Sequence, residues 1–101
     1  MADATADQEL FGRSQKGRVA IVTGGGRGIG RAIATRLARL GAGVVVAGRS
    51  PEPLEAVVGE LKAEGLVAAA EQVDIQDEAS VQGLFERVEG RFGAPDILIN
   101  N

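Results

Sequence analysis

Apolar residues along this chain fall into short unbroken runs that alternate with spaced stripes. Val19-Ala20-Ile21-Val22 is continuous and rich in β-branched residues, the pattern of a strand buried on both faces. Ile29, Ile33, Leu37 and Leu40 then recur at spacings of four, four and three, which predicts one helical face. Gly41 stands where a helix-terminating glycine belongs. Val44-Val45-Val46-Ala47 reads as a second buried strand. Ser50 and Pro51 supply an N-cap and a first helical residue, and Leu54, Val57, Val58 and Leu61 form the stripe of a helix ending near Gly65. Residues 67–73 read as a third strand, although Ala68-Ala69-Ala70 suits a helix equally and only its context decides. Asp77 or Ser80 starts a third helix with the stripe Val81, Leu84, Phe85, Val88 and Phe92. Gly83 and Gly90 each weaken it by up to ~1 kcal/mol relative to Ala. Gly93 and Pro95 end it, and Ile97-Leu98-Ile99 is a fourth strand.

The order is therefore β-α-β-α-β-α-β. Strands joined through helical crossovers are parallel, and the expected fold class is α/β with a doubly wound parallel sheet. Residues 1–17 are polar without a sustained period and read as a flexible leader, with Leu10 and Phe11 as candidates for docking on the domain. The domain is expected over residues 18–101.

Composition narrows the chemistry. The chain has 101 residues, 45% of them hydrophobic and 25% charged, the balance of a soluble globular protein rather than a disordered one. It has no Cys, which excludes disulfides, thiolate metal sites and a cysteine nucleophile. It has no His, Tyr or Trp either, so the usual general base at neutral pH is missing. Net charge is −3, which offers no basic excess for nucleic acid. The charge is uneven: residues 1–50 carry eight Arg/Lys against three acids, and residues 51–101 carry three against eleven. Most of these charges read as solvated helix faces. No segment approaches the ~18 apolar residues of a membrane span. The N-terminus, with Asp3, Asp7 and Glu9, lacks the apolar core of a secretory signal. The expected location is the cytoplasm.

Chemistry concentrates in Thr23-Gly24-Gly25-Gly26-Arg27-Gly28-Ile29-Gly30, between a predicted strand and a predicted helix. Amides at a helix N-terminus are unpaired and partly positive, and glycines let a phosphate approach them. G-x-G-x-x-G fails because Ile29 stands where glycine is required. G-x-x-x-x-G-K-[ST] fails because Gly30 is followed by Arg31-Ala32. G-x-x-x-G-x-G fits at Gly24, Gly28 and Gly30. A merely flexible turn is the plain alternative, and the β-α-β frame argues against it.

These residues resemble the cofactor loop Thr-Gly-x-x-x-Gly-Ile-Gly of the short-chain dehydrogenase/reductase superfamily. Asn100-Asn101 is similar to the start of that family's Asn-Asn-Ala-Gly motif, and Asp74-Ile75 falls where the family places an aspartate near the adenine. The resemblance spans residues 18–101 and looks most like the 3-oxoacyl-carrier-protein reductase and glucose or alcohol dehydrogenase branch. It implies a Rossmann-like sheet of order 3-2-1-4, with the cofactor crevice between strands 1 and 4 and two helices on one face. The implied cofactor-binding set is Thr23, Gly24, Gly26, Arg27, Gly28, Ile29 and Gly30 in the loop and Arg49 and Ser50 after the second strand. Asp74 and Ile75 after the third strand, and Asn100 and Asn101 after the fourth, complete it. Asp74 has a competing role as the cap of the following turn.

Cofactor choice follows from charge. An NAD site places an acid at the end of the second strand for the ribose 2′-OH, and that acid would repel a 2′-phosphate. Here Ala47-Gly48-Arg49-Ser50 holds no acid before Glu52. Arg49 can pair with a phosphate, and Arg27 is similar to the basic residue that NADP-preferring members of the family carry in this loop; together, with the acid missing, they favour NADP(H) over NAD(H). Each arginine alone is equally a surface charge.

The resemblance implies hydride transfer between a carbonyl and an alcohol, using a Ser and a Tyr-x-x-x-Lys pair that follow Asn-Asn-Ala-Gly. This chain has no Tyr, and its lysines are Lys16 and Lys62, so no catalytic residue is assigned and the chain alone should not reduce a carbonyl. The favoured reading is the N-terminal part of a longer reductase that takes a small-molecule substrate and forms a homo-oligomer. A non-catalytic dinucleotide-binding module, or an interaction protein using the apolar edge strand Ile97-Leu98-Ile99, stands as the alternative.

Overall fold

A computed structural model describes residues 14–101. The leader reading for residues 1–13, with Leu10 and Phe11, lies outside the described residues. Ser14–Gly17 make a turn in which the Gln15 amide donates to the Leu40 carbonyl at 2.9 Å.

The elements follow in the order β1 (Val19–Thr23), α1 (Gly28–Arg39), β2 (Gly43–Gly48), α2 (Pro51–Ala63), β3 (Ala68–Gln72), α3 (Glu78–Phe92) and β4 (Ile97–Ile99). The four strands are all parallel, in the order β3-β2-β1-β4. Ile21 lies opposite Val45 on one side and Leu98 on the other. The doubly wound sheet expected from the alternating pattern is therefore present. The alanine run pairs as a strand, Val44 to Val46 against Ala68 to Ala70, because crossover helices on either side leave it the open edge of β2.

The continuous apolar runs are buried on both faces. Ala20, Val22, Val44 and Val46 face α1 and α2, where Leu54, Val57 and Leu61 complete the core. Ile21, Val45 and Ala47 face α3, which contributes Leu84 and Val88. The stripes expected for α2 and α3 are the ones that turn inward.

Helix α1 departs from its expected stripe. Its buried residues are Gly30, Ala34 and Ala38, and Ile33, Leu37 and Leu40 are only half-buried. Ile29 is 71% exposed. Small residues facing the sheet let the helix backbone approach it closely, which pushes the larger side chains to the flanks.

Helix ends are set locally. Gly41 and Gly65 follow α1 and α2 with positive φ, as terminating glycines do. Asp77 caps α3 by accepting the Ala79 amide at 3.0 Å. Ser80, the other candidate, accepts the Asp74 amide at 2.9 Å instead. Ser50 holds the N-cap position of α2, yet its hydroxyl makes no capping bond. Pro53 at the third helical position removes one of the two amides such a cap would engage.

Three residues make β4 short, and it is held at both ends. At its start Asp96 and Val19 exchange bonds: the Val19 amide donates to Asp96 Oδ2 at 2.8 Å, and the Asp96 amide donates to the Val19 carbonyl at 2.8 Å. At its end Thr23 takes over. Leu98, between them on the α3 side, is 54% exposed.

Candidate functional site

The C-terminal ends of β1, β2, β3 and β4 meet the start of α1 and α2 around one cleft of about 310 Å³. Thr23 closes β1 and is itself buried. Its hydroxyl accepts the Asn101 amide at 3.1 Å, and the Ile99 carbonyl and Asn100 Oδ1 both lie 3.2 Å from it as acceptors for its single proton. These bonds carry the chain after β4 over the glycine loop.

The loop leaves β1 with the Gly24 amide donating to the Ala47 carbonyl at 2.8 Å. Gly24 and Gly28 have φ of +66° and +54°, a left-handed backbone that costs glycine nothing. Gly30 answers a different demand. A Cβ there would collide with the Gly24 carbonyl oxygen and stand 2.8 Å from the Asn101 side-chain amide. Gly25 is buried against Val46, where a Cβ would lie 2.8 Å from Cγ1. The loop is therefore compressed between β2 and the chain after β4, with its outer surface left open.

Helix α1 begins beside this surface. Its N-cap residue Arg27 is extended and gives no capping side chain, and the first turn holds no acid. The amides of Gly28, Ile29 and Gly30 thus have no intrahelical acceptor.

Eight of the sequence-derived candidates line the cleft: Thr23, Gly24, Gly26 and Arg27 on the loop side, and Arg49, Ser50, Ile75 and Asn101 across from them. Gly28, Ile29, Gly30, Asp74 and Asn100 do not. Gly28 and Ile29 sit exposed at the start of α1, and Gly30 is spent on packing. Asn100 takes part in the Thr23 hydrogen bonding. Asp74 Oδ1 accepts the Gln76 amide at 3.0 Å, the local turn-capping role set against its cofactor role above.

Gly48, Pro53, Leu54 and Val73 also line the cleft and are not among the sequence-derived site candidates. Leu54 and Val73 are buried apolar residues at the start of α2 and just past β3, and with Ile75 they make an apolar slot. The available signal was their position at the carboxyl ends of predicted strands, where ligands of open α/β sheets bind.

Electrostatically the mouth of the cleft is set by Arg27 and Arg49. Both are exposed, and among the described residues neither guanidinium pairs with a carboxylate. They share a further hollow of about 350 Å³ with Ser50 and Glu52 at the start of α2. Other arginines are committed: Arg31 pairs with Glu60, Arg39 with Glu64 at 3.0 Å and Arg87 with Glu71 at 2.7 Å. Among the described residues no group of three or more acidic side chains is arranged to hold a metal ion. None of their helices is long and apolar enough to cross a membrane.

Comparison with known proteins gives a consistent picture. The family described as short chain dehydrogenase matches residues 18–101. A probable 2,4-dienoyl-CoA reductase of Caenorhabditis elegans is 48% identical over 88 residues, 85% of this chain and 28% of that protein. The 2,3-dihydro-2,3-dihydroxybenzoate dehydrogenase of Bacillus subtilis is 42% identical over 85 residues, 84% of this chain and 33% of that protein. Among solved structures, a citronellol catabolism dehydrogenase of Pseudomonas aeruginosa aligns with a TM-score of 0.83 at 42% identity. It covers 85% of this chain and 36% of that one. A hydroxysteroid dehydrogenase from Escherichia coli aligns with a TM-score of 0.84 at 38% identity, covering 86% of this chain and 37% of that one. The chain spans about a third of the length of the curated relatives it matches. A parallel sheet in the order β3-β2-β1-β4, a glycine loop at its carboxyl edge and a family match across residues 18–101 converge: this chain belongs to the short-chain dehydrogenase family.

Proposed function

We propose that this chain is the dinucleotide-binding part of an NADP(H)-dependent oxidoreductase that interconverts a carbonyl and an alcohol. One arrangement carries the reading: an open glycine loop and two uncommitted arginines line one cleft, and the unpaired amides that begin α1 follow directly on that loop. The unpaired amides at the start of α1 suit a pyrophosphate, since they present partial positive charge beside a loop whose glycines Gly24, Gly26 and Gly28 carry no side chain. The apolar slot of Leu54, Val73 and Ile75 suits the flat adenine ring. Arg27 and Arg49, with Ser50 between them and α2, suit a ribose 2′-phosphate. The end of β2 holds no carboxylate to repel one.

When bound, the nicotinamide would supply or accept the hydride. The proton donor to the substrate oxygen comes, in this reading, from chain beyond these residues, because no Tyr lies within them. The relatives' names point to different substrates, so the substrate is proposed only as a small carbonyl or alcohol.

Fluorescence titration of the full-length protein with NADPH and NADH tests the reading. Tighter NADPH binding supports it. Equal affinities, or tighter NADH, overturn the 2′-phosphate assignment. Failure to bind either overturns the whole of it.

A further inference from the structure

Ser50 is left idle by its own helix. It occupies the N-cap of α2, is exposed, and its hydroxyl makes no hydrogen bond among the described residues. Pro51 follows it directly, and the Ser50 backbone is extended at φ −107° and ψ 114°, the conformation that a following proline favours. Arg49 precedes it, and Arg27 lines the same hollow of about 350 Å³. An accessible serine, the proline after it and two uncommitted arginines thus line one hollow.

We propose that Ser50 is a phosphorylation site for a proline-directed serine/threonine kinase, and that its phosphate switches the coenzyme preference of this cleft. The inference rests on the NADP(H) reading above. In the transfer, Ser50 Oγ forms a bond to the γ-phosphorus of ATP. The bond from that phosphorus to the β,γ-bridging oxygen breaks, and its electron pair leaves with ADP. The hydroxyl proton passes to a carboxylate base of the kinase.

The product brings a charge of about −2 and three acceptor oxygens to Arg27 and Arg49. It thereby occupies the cationic receptor that a 2′-phosphate needs, and like charge repels that phosphate. NADH carries only a 2′-OH there, and a phosphate oxygen can accept a hydrogen bond from it as a strand-end carboxylate does in an NAD site. The modification costs NADPH its anchor and leaves NADH one. Glu52 lines the same hollow and opposes the added charge, but it is exposed and free to turn its carboxylate into water.

The test uses the full-length protein treated with MgATP and a proline-directed kinase, and a sample of the same material returned to its unmodified state by a phosphatase. Mass spectrometry locates the phosphate, and both samples are titrated with NADPH and NADH. The inference expects phosphate on Ser50, NADPH affinity lower by at least about tenfold, NADH affinity within about twofold, and full reversal by the phosphatase. Absence of modification at Ser50, unchanged NADPH affinity, or an equal fall for both coenzymes overturns it. If the unmodified protein binds NADPH no better than NADH, the cofactor reading fails first and this inference falls with it.

Discussion

The Thr23 hydroxyl accepts a hydrogen bond from the Asn101 amide at 3.1 Å, joining the end of β1 to the chain leaving β4 across 78 positions of sequence. That bond, with the acceptors at Ile99 and Asn100, makes a buried side chain the fastener between the glycine loop and the fourth strand.

Replacing Thr23 should therefore loosen the site and the fold together. Thr23→Val keeps the shape and removes the hydroxyl. It is expected to cost about 1–2 kcal/mol in urea unfolding and to weaken NADPH binding. Thr23→Ser keeps the oxygen and should recover most of both. A valine variant as stable as the parent would show that the hydroxyl contributes nothing.

Two glycines with opposite surroundings make a paired prediction. At Gly30 a methyl group meets the Gly24 carbonyl and the Asn101 side chain. Gly30→Ala should lower stability by about 1–3 kcal/mol and displace the loop enough to abolish coenzyme binding. At Gly59, within α2, a Cβ meets nothing within 4 Å. Gly59→Ala should raise stability by up to ~1 kcal/mol, because alanine loses less backbone freedom on entering a helix. Thermal melts of both variants check the pair.

The two uncommitted arginines give a charge-specific signature. Arg27→Ala and Arg49→Ala should each lower NADPH affinity about tenfold and leave NADH nearly unchanged, since only the 2′-phosphate loses a charge-assisted bond. The NADPH advantage should also shrink as salt rises, because both guanidiniums are exposed and screened. A variant that loses both coenzymes equally would point to a structural role instead.

One ion pair links stability to pH. Arg39 Nε donates to Glu64 Oε1 at 3.0 Å and Nη2 to Oε2 at 3.1 Å, tying α1 to the residue that follows α2. The Arg39 hydrogen bond holds the Glu64 carboxyl below the ordinary glutamate value of 4.5. A carboxyl whose folded pKa is lowered stabilises the fold above its unfolded pKa, and that contribution disappears as pH falls through the lowered value. Because the pair is partly exposed, its worth is below about 1 kcal/mol. Glu64→Gln should thus be slightly less stable than the parent at pH 7, and the difference should vanish under acid. Urea midpoints at both pH values measure it.

The alternation of apolar runs and stripes was enough to establish seven elements, their order and the parallel sheet, because burial on two faces and burial on one leave different local periods. Gly41 and Gly65 marked helix ends for a similarly local reason, whereas the choice between Asp77 and Ser80 at the start of α3 was decided by the fold. The glycine loop and the basic segment after β2 were legible too, since backbone access and charge depend on which residues are present. What the helix α1 stripe could not reveal was its buried face. Ile29 and Ile33 carry the stronger hydrophobic signal, yet Gly30, Ala34 and Ala38 face the sheet, because close approach of the backbone decides which side fits. Likewise, only the folded chain brings Leu54 and Val73 to the cleft, binds Asn101 to Thr23 and gathers Arg27, Arg49 and Ser50 at one hollow. Those juxtapositions join residues far apart in sequence, and they arise when strands pair and helices dock, steps that no local window of residues encodes.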